Sequence, residues 1–495
     1  MRPGWRRTEK TALALIGEKD LLYLPSDGSP FSRLKPSNND VDIGTSQGLS
    51  AKASNLHSIL DPNMKRRTFI GNVAAVAAFP SIGAAAEIDG KTGRRFEPFK
   101  VLSPPVVQNP SETAFSVSWR VSGRATGWVE WGTSPELGHV VKPAHHGLMG
   151  MSDVALSARI TGIPEQATIY YRVVTMPVHY NNAYSIEKGT PIRSQIRSFK
   201  LPRESAETCS LVMVNDTHDH ENTVSALAAR VNEINPDALI WNGDACDTFD
   251  DPDQVARICL SPGQEETDPT AGGWASTRPL FFTFGNHDAR GESARVLPEV
   301  LTPWPGDASD PDGLTTTPVT GGRYCFAKRI GPLAMICLDT GEDKPDARDV
   351  WGGMAAYEPY REAQKLWLEK ALKQPGIANA PYLLTFCHIP LRGLPGQNDG
   401  MGETGYAGYS GFGQKLWMET LVGAGCQMVL SGHTHRHRID FPNEQYPLYQ
   451  VVGGGPREGQ ARLIRIQADR TRLRVFVENL AGEVVGEVSL EPRTG

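Results

Sequence analysis

Few cysteines, no excess of positive charge and no long apolar run characterise this chain, and each shortage removes a class of protein. Its 495 residues contain seven cysteines, none of them in a C-x-x-C pair. An odd and scattered set of that kind is neither a disulfide framework nor a Cys-rich zinc site. A formal net charge of −6 offers no general attraction for nucleic acid or anionic membranes, so no nucleic-acid-binding surface is indicated. No segment reaches the ~20 apolar residues of a membrane-spanning helix, and no membrane span is expected. Internal repeats and a P-loop are also missing.

What is present is a series of five polar segments, each directly after a short apolar run. Asp216-Thr217-His218 follows Leu211 to Val214, and Gly243-Asp244-Ala245-Cys246-Asp247 follows Ala238 to Trp241. Gly285-Asn286-His287-Asp288 follows Leu280 to Phe284, Cys387-His388-Ile389-Pro390 follows Tyr382 to Phe386, and Gly432-His433-Thr434-His435 follows Gln427 to Leu430. Short apolar runs that end abruptly in polar residues read as buried parallel strands, which deliver side chains to one sheet edge. The donors on offer are carboxylate, imidazole and one carboxamide. Such a set suits Mn, Fe, Zn or Mg.

In this order the series resembles the signature of the calcineurin-like metallophosphoesterases, D-x-H, G-D-x-x-D, G-N-H-D/E, H and G-H-x-H, over about Leu211 to Gly455. Gln364-Lys365-Leu366-Trp367-Leu368 is similar to the family's Q-x-x-W-L helix, and Val451-Val452-Gly453-Gly454-Gly455 to its late strand and glycine turn. The resemblance implies that Asp216, His218 and His435 hold one metal, that Asn286, His388 and His433 hold a second, and that Asp244 bridges them. It implies a water acidified between two cations and direct attack on phosphorus, with no covalent phosphoenzyme. The catalytic residues it implies beside the metals are His287 and its neighbour Asp288, with His287 polarising phosphate or protonating the departing oxygen. The cofactors expected are two divalent or trivalent ions, with Fe, Mn or Zn favoured.

One position departs from a related pattern. Purple acid phosphatases carry a tyrosine, G-D-x-x-Y, where this chain has Asp247, so no tyrosinate-to-iron colour is expected. Two roles are open to Asp247: orienting a ligand imidazole, or capping the helix that follows. His220 and His437 lie two residues beyond ligand histidines and read as supporting or surface groups, and Cys246 and Cys387 as small buried hydrophobes. Arg290 and Arg392 follow ligand-bearing motifs, where guanidinium could grip a phosphate or stay solvated. The glycine-rich stretch Gly393 to Gly413, with Tyr406, Tyr409 and Phe412, reads either as an aromatic lid or as a plain surface loop.

Upstream, Phe115-Ser116-Val117-Ser118-Trp119, Gly127-Trp128-Val129-Glu130-Trp131 and Ile169-Tyr170-Tyr171-Arg172-Val173 alternate like half-buried strands of a small β-sandwich. With the closing Ser198-Phe199, they resemble the fibronectin type III-like domain of purple acid phosphatases, whose expected role here is that of a spacer. Earlier still, Met64-Lys65-Arg66-Arg67-Thr68-Phe69-Ile70, a modest apolar stretch and Gly83-Ala84-Ala85-Ala86 resemble a Tat export signal. Residues 1 to 63 lack periodicity, and synthesis is expected to start at Met64.

The expected organisation is therefore an unstructured or over-extended stretch at 1–63, a Tat-type signal at 64–86, a fibronectin III-like β-sandwich at 95–203 and a metallophosphoesterase domain at 204–495. The expected fold is a four-layer α/β/β/α sandwich preceded by a small all-β sandwich. The expected protein is a periplasmic or extracellular binuclear phosphomonoesterase with a small-molecule phosphate ester as substrate. Phosphodiesters, such as nucleotides or phospholipid head groups, are the enzymatic alternative. A binding or adhesion protein with an inactive hydrolase domain is the alternative of another class.

Overall fold

The computed structural model describes residues 96, 98–165, 167–264, 272–305, 322–393 and 406–493; the residues read as an export signal lie outside them. The first described part is a pair of packed sheets. One contains β1 (Val106–Gln108), β2 (Phe115–Arg120) and β4 (Ala155–Ile160). The other is built on β3 (Ala125–Gly132) and the long β5 (Thr168–Asn182). Alternate residues of both sheets turn inward, so Val117, Trp119, Val129, Ile160 and Val173 fill the space between them. Phe115, Tyr171 and Phe199 meet edge to face there, with ring centroids 5.0 to 5.9 Å apart.

The catalytic region forms two more sheets. In the first, β6 (Cys209–Val214), β7 (Ala238–Asn242) and β8 (Leu280–Thr283) run parallel. In the second, β9 (Phe326–Ile330) flanks β10 (Leu333–Leu338), β11 (Tyr382–Cys387) and β12 (Met428–Ser431), and β13 (Arg438–Asp440) closes the far side of β14 (Tyr449–Val452). Strands β10, β11, β12 and β14 are parallel. The antiparallel strands β15 (Leu463–Ala468), β16 (Leu473–Glu478) and β17 (Val484–Leu490) return to the first sheet beside β6.

Strand periodicity divides the apolar residues between layers. Leu211, Met213, Ile240 and Phe281 point between the two sheets, where they meet Leu333, Met335, Leu384, Phe386 and Leu430. Their neighbours Val212, Val214, Leu239 and Trp241 point outward, against Leu227, Val231, Val255 and Ile258. Those four belong to α1 (Glu221–Ile234) and α2 (Pro252–Leu260). Ala334, Ile336 and Leu383 cover the opposite outer face with Trp367, Leu368 and Ala371 of α3 (Tyr357–Ala371). The result is the four-layer α/β/β/α order expected from the sequence. Each fully buried large aliphatic is worth about 1.5–3 kcal/mol, so the central layer fixes both sheets more firmly than any polar contact at their ends.

The two regions share one sheet. Strand β1 lies parallel to β8 through Gln108 and Leu280, which gives the nine-strand order β17-β16-β15-β6-β7-β8-β1-β2-β4. Gln108 is buried at the seam, where its Nε2 donates to the Val300 carbonyl at 3.1 Å and its Oε1 accepts from the Thr302 amide at 2.8 Å. Tyr171 donates its hydroxyl to the Ser276 carbonyl at 2.8 Å. The sandwich is thus bonded to the catalytic sheet as well as linked to it by chain.

Helix α3 carries the Gln364 and Trp367 expected of it. The buried Gln364 amide accepts from the Asp339 N–H at 2.9 Å and donates to the Asp339 carbonyl at 2.7 Å, so it pins the chain where β10 ends. The Asp339 carboxylate is itself buried, and accepts from the Gly341 amide and the Tyr360 hydroxyl at 2.9 and 3.1 Å. Burial pushes its pKa up to about 6, against the pull of those two donors and of Arg361. A carboxylate raised in the folded state is a penalty that is full above that pH and absent below its unfolded value near 4. Asp339→Asn should therefore be more stable than the parent at about pH 7.5, by on the order of 1–3 kcal/mol, and lose that gain toward about pH 4. Urea unfolding at the two pH values measures it; an equal difference at both would remove the buried-charge account.

Candidate metal centre

All the parallel strands of both sheets end on one side, and the five polar segments leave from those ends. Asp216 and His218 follow β6, Asp244 follows β7, Asn286 follows β8, His388 follows β11, and His433 and His435 follow β12. The turns that deliver them are tight. Asp216, His218, Asp244, His433 and His435 all take left-handed backbone, with φ between 46° and 70°. For residues with a Cβ that conformation costs on the order of 1–3 kcal/mol each, and it persists only where surroundings impose it. Gly285 belongs to the same constraint, because a Cβ there would stand 2.3 Å from the Asp244 amide nitrogen.

Two clusters result. Ligand atoms of Asp216, His218, Asp244 and His435 lie within 4.8 Å of one another, as do those of Asp244, His388 and His433. Asp244 belongs to both. His435 Nε2 is 3.2 Å from Asp216 Oδ1, His218 Nε2 is 3.5 Å from Asp244 Oδ2, and His388 Nε2 is 3.1 Å from the same Asp244 oxygen. Asn286 joins the second cluster through its Oδ1, 2.8 Å from His433 Nδ1. The structure thus brings together all seven residues that the sequence pointed to.

Several features of the clusters fit cations. The Nε2 atoms of His218 and His435 face each other at 3.0 Å, an arrangement met either by an N–H of one ring or by a cation held between two lone pairs. His388 donates from Nδ1 to the Asn242 carbonyl at 2.9 Å, and its buried Nε2 makes no hydrogen bond of its own. Asp216 and Asp244 are sealed from water. Burial would push the His388 and His218 imidazoles down, but the charges of Asp244 and Asp216 hold them up at about 10 and about 9. The carboxylates thus attract protons wherever they can, as a site built for cations must. The donors are oxygen and nitrogen only, which suits Mn, Fe or Zn.

Asp247 accepts from His218 Nδ1 at 2.6 Å, which leaves that ring's Nε2 directed at the cluster. The cap of α2 is Asp251, whose Oδ1 accepts from the Gln254 amide at 2.9 Å. Asp247 therefore orients an imidazole, and the capping alternative falls to its neighbour. Asp288 turns away from the clusters and accepts from the amides of Asp244, Ala245 and Gly285 at 2.8 to 2.9 Å. It ties two of the motif loops together. Its carboxyl is raised to about 7 by burial and by Asp244.

His287 borders a cleft of about 250 Å³ together with Asp244, Asn286, His433, His435, Arg290, Asp343 and Lys344. Asp343 and Lys344 were not anticipated from the sequence. The available signal was the strand Leu333–Leu338, which exits at the same edge as the others but into a segment without a recognisable motif. Arg392 lies elsewhere, with its guanidinium over the Tyr446 ring at 5.0 Å. His437 bonds the Val452 carbonyl at 3.0 Å, and His220 is exposed at the start of α1. Within the stretch expected as a lid, residues 394–405 lie outside the described residues, and Phe412 packs on Arg361 at 5.6 Å. A larger cavity, about 720 Å³, lies at the start of β6 and contains none of the motif residues.

Residues 210–437 match the family model of the calcineurin-like phosphoesterases. The chain carries a calcineurin-like phosphoesterase domain. The protein is a metal-dependent phosphoric ester hydrolase. No curated protein sequence matches it. Among solved structures, PhoD aligns over 78% of this chain and 88% of its own, at 10% identity and a TM-score of 0.51, and supports the fold alone. GAP50, the anchor in the inner membrane complex of Plasmodium, aligns at 12% identity over 58% of this chain and 90% of its own, with a TM-score of 0.38. The 5'-nucleotidase of Candida albicans aligns at 11% identity over 59% and 52%, with a TM-score of 0.28. Those last two scores are too low to bear on the fold.

Because Asp244 is shared by both clusters, Asp244→Asn should lose bound metal and turnover together. Among the described residues, Asp250 bonds only the Thr248 hydroxyl through its carboxylate, at 3.0 Å, and Asp250→Asn should behave as the parent. Metal analysis of both purified variants provides the comparison; full metal content and activity in Asp244→Asn would overturn the shared role.

Proposed function

We propose that the chain is an exported phosphomonoesterase, and the observation that carries this reading is the pair of ligand clusters joined at Asp244 beneath a small cleft. Asp216, His218 and His435 would hold one ion, Asn286, His388 and His433 another, with Asp244 between. When bound there, two cations supply charge neutralisation for phosphate oxygens and an acidified water. The chain's own residues bind, orient and manage protons around that chemistry.

His287 stands at the cleft with two defined partners. The Asp247 carbonyl, 2.9 Å from Nδ1, can only accept, so Nδ1 carries a proton. Arg290 can only donate, and its Nη1 lies 2.9 Å from Nε2. The same Nη1 is 3.1 Å from Nδ1, so the guanidinium lies against both ring nitrogens, while burial, Arg290 and His218 hold the His287 pKa below the usual histidine value against the pull of Asp244. An incoming phosphate dianion competes for Arg290 and leaves Nε2 able to take a proton from solvent in the cleft and pass it to the departing oxygen. His287→Ala should keep its metal and lower kcat on alkyl phosphates by about 10² to 10⁴, with a smaller loss on nitrophenyl phosphate, whose leaving group needs no proton. Equal losses on both substrates would count against proton transfer. Assay of the parent on monoester and diester chromogens tests the substrate class itself.

Export is supported by the twin arginine at Arg66 and Arg67 and by the cysteines, all seven of which are buried and none in a disulfide. A protein that needs no oxidation to fold can be completed and loaded with metal before crossing a membrane. The paired sheets before β6 support reading that module as a fibronectin type III-like spacer. Replacing Arg66 and Arg67 with Lys should leave the precursor unprocessed in the cytoplasm, as cell fractionation would show; undiminished export would exclude a Tat route.

A further inference from the structure

Across the cleft from the ligand clusters, two cations rest on a pair of carboxylates, one of them buried, that the proposed chemistry does not use. Arg290 donates from Nε to Glu342 Oε2 at 3.1 Å and from Nη2 to Glu342 Oε1 at 3.0 Å, which fixes the plane of the guanidinium. The same Nη2 reaches Asp343 Oδ1 at 3.2 Å. Lys344 Nζ lies 3.1 Å from Glu342 Oε1 and 2.5 Å from Asp343 Oδ1. Glu342 is sealed from solvent, whereas the side chains of Arg290 and Lys344 are 25% and 35% exposed.

A buried carboxylate is retained when cations or hydrogen bonds compensate it, and the two-point pairing with Arg290 already supplies a cation for Glu342. The chain supplies a second cation and places both at the rim of the same 250 Å³ cleft that Asp244, Asn286, His433 and His435 line. In so small a space, a phosphoryl group seated over the ligand clusters is within reach of both. Arg290 is held through Nε and Nη2, while among the described residues its Nη1 meets the two ring nitrogens of His287, at 2.9 and 3.1 Å. Lys344 can rotate its remaining donors outward, since an ammonium has three.

We propose that Arg290 and Lys344, seated on Glu342 and Asp343, form a second wall of the substrate site that binds the extra ionised oxygen of a phosphomonoester dianion. This rests on the monoester reading above and gives it a source of selectivity. A diester carries a single negative charge, which two cations held by the ligand clusters would neutralise. The dianion has one more oxygen to satisfy, and charge-assisted bonds from a fixed guanidinium and an ammonium satisfy it.

The test uses metal-loaded full-length parent, Arg290→Gln, Lys344→Gln and Arg290→Lys. Inorganic phosphate binding is measured by calorimetry, with metal content, and with kcat/KM on phenyl phosphate and bis(nitrophenyl) phosphate. Each Gln variant should bind phosphate about 10- to 100-fold more weakly with unchanged metal, the loss expected for a hydrogen bond to a charged group. Monoester kcat/KM should fall by the same order, diester turnover in Lys344→Gln should change less than about threefold, and Arg290→Lys should recover part of the loss of Arg290→Gln. Lys344→Gln leaves the Arg290–Glu342 pair intact, so it reports on binding even if Arg290→Gln folds poorly. Unchanged phosphate affinity in Lys344→Gln, or equal losses on both esters, would overturn the proposal. If the parent itself hydrolyses only diesters, the monoester reading fails separately, and the phosphate titration still decides whether the wall binds anions.

Discussion

The carboxylates of Asp216 and Asp244 are sealed from water within reach of the same imidazoles, and much of the surrounding architecture answers to the charge they bring. Two buried anions this close repel each other and lose their hydration, a cost of several kcal/mol per ion unless cations or hydrogen bonds offset it. Backbone donors supply part of the offset: both oxygens of Asp216 accept from the His433 amide at 2.8 to 3.0 Å, and Asp244 accepts from the His287 amide at 2.9 Å. The rest has to be positive charge held among the histidines. Each imidazole is oriented for that from its far side, His218 by Asp247 and His388 by the Asn242 carbonyl.

Holding those groups in place requires backbone that would not be chosen locally. Five of the seven candidate ligands sit in left-handed turns, and the loops are locked against one another rather than from within. Asp288 joins the Asp244 loop to the Asn286 loop. Asn215 donates to Asp216 and to the Gly454 carbonyl, so the first loop is joined to the last. The strain is distributed over turns that the central apolar layer cannot relax, because both sheets are anchored by that layer.

Much of this was legible in the chain. The five apolar runs are strands within a residue or two of their expected limits, because period-two burial and abrupt polar endings are local signals. The seven candidate ligands come together since parallel strands share an edge, and each motif names its own strand. What local signals do not carry is the relation between distant segments. The segment with Glu342, Asp343 and Lys344 follows an equally apolar strand, Leu333–Leu338, but its residues spell no motif, and only the fold shows that Asp343 and Lys344 share a cleft with His287. Spacing left two roles open for Asp247, and only the structure shows that the cap of the following helix is Asp251 instead. The sandwich was visible as a module; that its sheet continues into the catalytic one depends on a register between Gln108 and Leu280, which sequence patterns do not encode.

That shared sheet has a consequence for how the molecule is made. Without β1, strand β8 would present an open edge of parallel sheet, the kind of surface that templates pairing with other chains. The strand that covers it is synthesised first, so β1 must wait while the intervening residues leave the ribosome. At about 5–20 residues per second, the delay is on the order of 10 to 30 s. During that interval the sandwich has its own core but lacks its neighbour, and once β8 appears it can be covered at once by a partner already in place. The N-terminal module then serves the nascent catalytic sheet as a tethered, intramolecular chaperone.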